Sequence, residues 1–313
     1  MQGLRDGTTP VRGLDVNFLP LPIEETFFRM ARFQEFEAAE MSLSTYVLTM
    51  PEGPFVAIPV FPSRAFRHSA IYVRTDSPLT DPAQLAGLIV GVPEYQITAA
   101  VWVRGILQDH YGVDPASVSY RTGGLDQPGR VEKVNLDLPA DIDIVPIPSD
   151  QTLSTMLLSG QLDALYSARN PAPYNVSSGG IRRLIPDAGV VERHYARETG
   201  IFPIMHTLVL RKDVYAESPW IAQELLLACT ASKNAAMNRF HETAGLSCML
   251  PWSPEHAEEA RQLMGADWWP YGVAANEKTL TTFLRYSHEQ GLAPKLYSPA
   301  DLFAPETLQQ YVI

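Results

Sequence analysis

The chain has 313 residues, of which 46% are hydrophobic and 19% charged, with two cysteines. This is the composition of a globular protein long enough to bury a sizeable core and to divide into two domains. Lys+Arg 24 against Asp+Glu 35 leaves a net charge of −11 with the basic residues scattered, which argues against a nucleic-acid partner. Apolar runs such as 204–210 and 225–229 end far short of the roughly 20 residues a membrane helix needs, so no membrane partner is expected either.

The first residues, Met1-Gln2-Gly3-Leu4-Arg5-Asp6-Gly7, lack a basic region followed by an apolar run and a small-residue cleavage site, and the chain reads as cytoplasmic. Cys229 falls in a helical pattern and Cys248 in a Pro-flanked loop. Their spacing suits neither a disulfide framework nor a zinc site.

In chain order, 14–19 reads as a strand, 24–32 as a short helix, and 36–41, 55–60 and 69–73 as brief strands bounded by Pro, Gly or Ser. Asp81-Pro82-Ala83-Gln84-Leu85 is a small capped helix leading into the strand 88–92. Ala99, Trp102, Val103, Ile106, Leu107 and His110 keep the 3.6-residue period of a helix that Thr98 can cap and Gly112 closes. A strand at 142–147, a helix at 150–159 and strands at 162–166 and 204–210 continue the alternation. After Leu210 the pattern turns helical, with one helix opening at Ser218-Pro219 and another running from Asn276 to about Gly291. Alternating strands and helices followed by a helical tail predict an α/β protein of two lobes, the first built from 1–75 and 207–313, the second from 76–206. The crossings are expected near 73–76 and 204–210.

Several side chains carry chemistry. Arg64, Arg67 and His68 crowd one loop between apolar strands. Planar arginine forks suit carboxylates and His titrates near neutrality, but the plainer account, preferred for an isolated cluster, is two arginines paired with surface acids and a solvated His. Thr98, after Glu94 and Tyr95, stands at a helix start that can hold an anion or simply be capped, and Arg104 faces either that mouth or solvent. His206 alternates in step with Ile204 and Leu208, as a core residue or one at the junction of the lobes. Glu40, just before Ser42, is a cleft carboxylate or a helix-start anion. The Trp268-Trp269-Pro270-Tyr271-Gly272 turn reads as local packing. No Gly-rich phosphate loop, His-Glu-x-x-His pattern or Gly-x-Ser-x-Gly elbow occurs, which argues against nucleotide, zincin and α/β-hydrolase chemistry.

Five segments together, 24–30, Ala39-Glu40-Met41-Ser42-Leu43-Ser44, 61–68, 91–105 and Phe202-Pro203-Ile204-Met205-His206, resemble the 4,5-dihydroxyphthalate decarboxylase family. The resemblance implies a type II periplasmic-binding-protein-like fold of two lobes with the ligand in a cleft and a helical C-terminal tail on lobe one. It also implies a cytoplasmic carboxy-lyase that converts a hydroxylated aromatic dicarboxylate, 4,5-dihydroxyphthalate above all, to protocatechuate and CO2. The alternative is a solute-binding protein for a small organic acid. Under the enzyme reading Arg64 and Arg67 clamp the carboxylates, Thr98 binds one oxygen, and His68 or His206 moves the proton. Glu94 or Glu40 tunes that His, while Ser42, Tyr95 and Arg104 line the ligand site.

No cofactor is expected, a divalent metal held by His68, His206 and a Glu being the alternative. Homo-oligomers are common at this size, though no feature fixes a symmetry. One departure stands out. The family pattern begins with an apolar strand upstream of the position of Met1, central in lobe one, so the expectation is either a reading frame that starts earlier or a rearranged first sheet.

Overall fold

The structure, a computed structural model, describes residues 1–309 apart from 176 and 178. Among these, nine strands form: β1 (Ala38–Ser42), β2 (Phe55–Ile58), β3 (Ile71–Arg74), β4 (Ile89–Val92), β5 (Ser119–Thr122), β6 (Ile144–Pro146), β7 (Ala164–Tyr166), β8 (Ile181–Arg183) and β9 (His206–Arg211). They make two sheets, ordered β1-β9-β2 and β6-β5-β4-β7-β3-β8.

The chain gathers into two compact units. Met1–Arg64, Tyr195–Leu280 and the segment from Ser298 form the first; Ala65–His194 and Thr281–Tyr297 form the second. The sequence reading places the first crossing near 73–76, whereas the chain passes between units directly after Arg64. The tail is also shared, because Thr281–Tyr297 belongs to the second unit. The reason is side-chain pairing on the last long helix, Glu277–Glu289: Phe283 lies 5.6 Å from Trp102, and Arg285 bonds Asp109.

In the first unit β9 is central and antiparallel to both neighbours, with Ser42 opposite His206, Glu40 opposite Leu208, and Ile58 also opposite Leu208. Alternation sends Ala39 and Met41 into the core and leaves Glu40 and Ser42 on the half-buried face. The helix Ile23–Phe33 packs on β1 and buries Met30. Tyr46 ties the unit together: its hydroxyl donates to the Leu302 carbonyl at 2.5 Å and accepts from the Ala57 amide at 3.1 Å. The strand expected at 14–19 does not form. Val16 and Leu19 are exposed there, so the segment has no apolar face to bury against a sheet.

In the second unit β4, β5, β6 and β7 pair in parallel, while β3 runs antiparallel to β7 and β8. On one face of β4, Gly91 meets Leu153 and Leu162, where a Cβ would collide with the Leu162 side chain. The opposite face carries Tyr120 and Tyr166, two residues of neighbouring strands in step with Val90 and Ala164. The helix Thr98–Tyr111 covers this face through Arg104, whose guanidinium carbon lies 5.5 Å from the Tyr120 ring. Gly105 lets that helix approach the ring of Tyr286 so closely that no Cβ fits between them. Strands β5 and β8 and the helices Ala188–Thr199 and Ser253–Met264 are additions to the sequence reading. β5 hides its period because its buried members are Tyr120 and Thr122 rather than aliphatics.

Candidate active site

The register of β1 against β9 puts Glu40, Ser42 and His206 on one face of the first sheet. Glu40 Oε1 lies 2.6 Å from His206 Nδ1, and the two side chains keep 25% and 20% of their surface exposed. An ionised carboxylate only accepts hydrogen bonds, so Nδ1 carries the hydrogen and Nε2 is the atom left to exchange a proton. Phe27, from the helix Ile23–Phe33, presses edge-on against the imidazole with ring centroids 4.8 Å apart. Strand, carboxylate and ring edge thus fix one orientation of His206. Ser42 also caps the helix Leu43–Thr49, accepting from the Thr45 amide at 3.5 Å.

Arg64 forms an isolated bridge with Ile204, just ahead of β9, and its two terminal nitrogens bond protein acceptors while its buried Nε has no partner among the described residues. Its fork donates to the carbonyls of Phe202 at 2.9 Å and Pro270 at 2.7 Å and to the side chain of Asn276. Only 6% of the residue is exposed. Burial presses the guanidinium pKa down to about 9, with Tyr271 and Asp267 opposing. Backbone bonds extend the clasp, since the Met205 amide donates to the Ser63 carbonyl at 2.9 Å. The sequence reading of Arg64 as a substrate clamp is therefore replaced: a guanidinium facing three protein acceptors holds the segment that leads into His206.

Arg67 and His68 stand in the second unit. Burial lowers the Arg67 guanidinium to about 10, opposed by Glu192 and Tyr72. Glu192 also accepts from the Ser69 amide at 3.0 Å, and the Tyr72 hydroxyl donates to Asn170 at 2.7 Å. His68 is 3% exposed, and burial, reinforced by His110, drives its pKa down to about 4. Imidazole 68 is therefore neutral at pH 7.

The residues 94–104 are arranged differently from their sequence reading. Glu94 is fully buried and accepts from Arg130 Nε at 2.8 Å, Lys133 Nζ at 2.5 Å and Gln96 at 3.0 Å. Burial by itself would raise its pKa, but Lys133 and Arg130 outweigh it and hold the carboxyl below its ordinary value. A carboxylate so saturated is a latch for the 130–133 segment and not a proton-transferring group. Tyr95 is a core residue, its ring 3.8 Å beneath the Arg104 guanidinium and its hydroxyl directed at the Gln290 carbonyl. Thr98 is the first helical residue rather than the cap, a position taken by Ile97. Arg104 is 1% exposed, donating to Gln290 at 2.8 Å and to the Tyr95 carbonyl at 2.8 Å.

Glu132, which no sequence motif singles out, accepts from the Tyr95 amide at 2.5 Å. Burial raises its carboxyl to about 7, aided by Glu94. It sits in a polar stretch between two strands with no periodicity to flag it. Among the described residues no three His, Cys, Asp or Glu side chains are grouped to hold a metal ion, and no helix is long and apolar enough to cross a membrane.

No family model matches the chain. A solved periplasmic sulfonate-binding protein of an ABC transporter from Methylobacillus flagellatus superposes with a TM-score of 0.52 at 14% identity, covering 91% of this chain and 77% of that one. The fold is type II periplasmic-binding-protein-like. A curated 4,5-dihydroxyphthalate decarboxylase from Pseudomonas putida is 44% identical over 171 residues, 54% of this chain and 66% of that protein. Another, from Comamonas testosteroni, is 38% identical over 315 residues, spanning 100% of this chain and 96% of its own. With 38% identity along the whole chain, this chain belongs to the 4,5-dihydroxyphthalate decarboxylase family.

Proposed function

We propose that this protein is a carboxy-lyase that converts 4,5-dihydroxyphthalate to protocatechuate and CO2. The reading is carried by the likeness to the Comamonas testosteroni decarboxylase along the whole chain, and the Glu40–His206 pair supplies the group the chemistry needs.

Each carboxylate of this substrate has a ring hydroxyl para to it. As that hydroxyl ionises, its electrons reach the ring carbon that carries the carboxylate, and the carbon accepts a proton. The carbon–carboxylate bond then breaks, its electron pair restores the aromatic ring, and CO2 leaves. One proton enters for each CO2 released. His206, when it carries both protons, donates from Nε2, and Glu40 holds the Nδ1 hydrogen and balances the imidazolium charge. Arg67 is the guanidinium proposed for a substrate carboxylate, whose two oxygens suit its planar fork. No step here is routed through a metal. The cytoplasm is the compartment this reading assigns.

The test is direct. Purified protein incubated with 4,5-dihydroxyphthalate should release protocatechuate and CO2 in equal amounts. Binding without product would replace the enzyme with a receptor, and neither binding nor product would point to a different substrate.

A further inference from the structure

The helix Thr98–Tyr111 buries a positive charge whose hydrogen-bonding capacity is not used up. Arg104 spends Nε on Gln290 and Nη2 on the Tyr95 carbonyl, but its buried Nη1 has no partner among the described residues. On the sheet face beneath it the hydroxyl of Tyr166 is likewise buried and without a partner. Both residues are 1% exposed, and Tyr166 shares its sheet face with Tyr120, whose ring lies 5.5 Å from the Arg104 guanidinium carbon. The third group in this neighbourhood is Glu132, whose Oε1 takes the Tyr95 amide while its buried Oε2 has no partner. Native interiors leave few polar groups in this state, because an unspent buried donor loses its bonds to water without compensation. Two donors, one of them cationic, and one acceptor gathered at one helix–sheet junction are the complement of a ligand with an anionic oxygen and a hydroxyl.

We propose that Arg104 and Tyr166 form an anion subsite of the second unit that takes a carboxylate of a hydroxylated aromatic acid. Glu132 faces the ligand's hydroxyl. This rests on the decarboxylase reading and deepens it by naming groups that select the substrate class. Access requires local opening, and the segment carrying Glu132 is the element whose ties to Glu94 and Tyr95 have to release.

The discriminating variant is Tyr166→Phe, which deletes only the unpartnered hydroxyl. Two quantities are read: the dissociation constant of phthalate, which has the carboxylates without the hydroxyls, and KM for 4,5-dihydroxyphthalate. Both should rise about tenfold, the loss of one hydrogen bond to a charged group, while the ligand-free melting temperature stays level or increases. A merely structural hydroxyl, or one satisfied by a buried water, would leave both constants within twofold of the wild type, and that result overturns the subsite. Arg104→Gln should weaken phthalate further; since Arg104 also ties Gln290 and Tyr95, the phenylalanine variant decides if this one fails to fold. Wild-type turnover with an unaffected Tyr166→Phe variant defeats the subsite alone. Absence of wild-type turnover defeats the decarboxylase reading, and the phthalate titration then decides the subsite by itself.

Discussion

Glu40 and His206 meet diagonally across the β1–β9 ladder, with Oε1 2.6 Å from Nδ1, because Ser42 rather than Glu40 lies directly opposite the histidine. Diagonal neighbours on one sheet face are within reach of long side chains, so the strand register alone sets which nitrogen of His206 is occupied and which is left for chemistry.

If His206 delivers the ring proton, His206→Asn should lower kcat by about 10²- to 10⁴-fold, the usual range for a removed general acid. Glu40→Gln retains shape and should reduce kcat about tenfold or more while KM stays within twofold. Steady-state kinetics on the two variants checks both, and an unchanged kcat in His206→Asn would remove the histidine from the mechanism.

The two loop arginines should separate cleanly. Arg64→Lys keeps a charge but cannot serve Phe202, Pro270 and Asn276 together, so urea unfolding should show a loss of about 2 kcal/mol. Arg67→Ala should instead raise KM for 4,5-dihydroxyphthalate about tenfold or more. A KM for Arg67→Ala equal to the wild type would take Arg67 out of substrate binding.

Glu94 is fully buried but Arg130 and Lys133 keep 29% and 23% of their side-chain surface exposed, so removing its charge costs about 1–3 kcal/mol in lost charged hydrogen bonds. Glu94→Gln should therefore destabilise the second unit and expose the segment around Arg130 and Lys133, which Glu94 holds at 2.6 and 2.5 Å. Trypsin should then cut after Arg130 or Lys133 faster than in the wild type, as gel electrophoresis of timed digests will show.

His68 predicts a pH dependence of stability. Its pKa falls from 6.5 to about 4 on folding, so the unfolded chain takes the proton first as the solution is acidified. Its contribution is complete above about pH 6.5 and is lost progressively down to about pH 4, amounting to about 3 kcal/mol at 1.4 kcal/mol per unit. Urea midpoints measured from pH 7 to pH 4 should fall less steeply in His68→Gln than in the wild type.

The local physics of the chain was readable from its residues. The Asp81 cap, the helix over 98–111 and the Gly112 stop form as the sequence predicts, with Asp81 accepting from the Ala83 amide and Gly112 in the left-handed region, although the helix is buried on all sides from Thr98 to Leu107 rather than along one stripe and His110 is exposed. These features depend on neighbours three or four residues away and need no distant partner. The segments that carry the family resemblance, with Glu40 and His206 among them, were also in plain view.

What only the tertiary structure decided is which charges are spent. Arg64 and Arg67 are three residues apart and chemically identical, yet the chain passes from one unit to the other between them, and Arg64 bonds Phe202, Pro270 and Asn276. Glu94 is fully buried and held ionised by Arg130 and Lys133, whereas the half-buried Glu132 is pushed up to about 7 by desolvation. Their difference lies in partners 36 to 39 residues away for Glu94 and in burial with little compensation for Glu132. A side chain's charge state and free hydrogen-bonding capacity follow from the dielectric and the partners around it, and those are properties of contacts between distant segments, which no local pattern records.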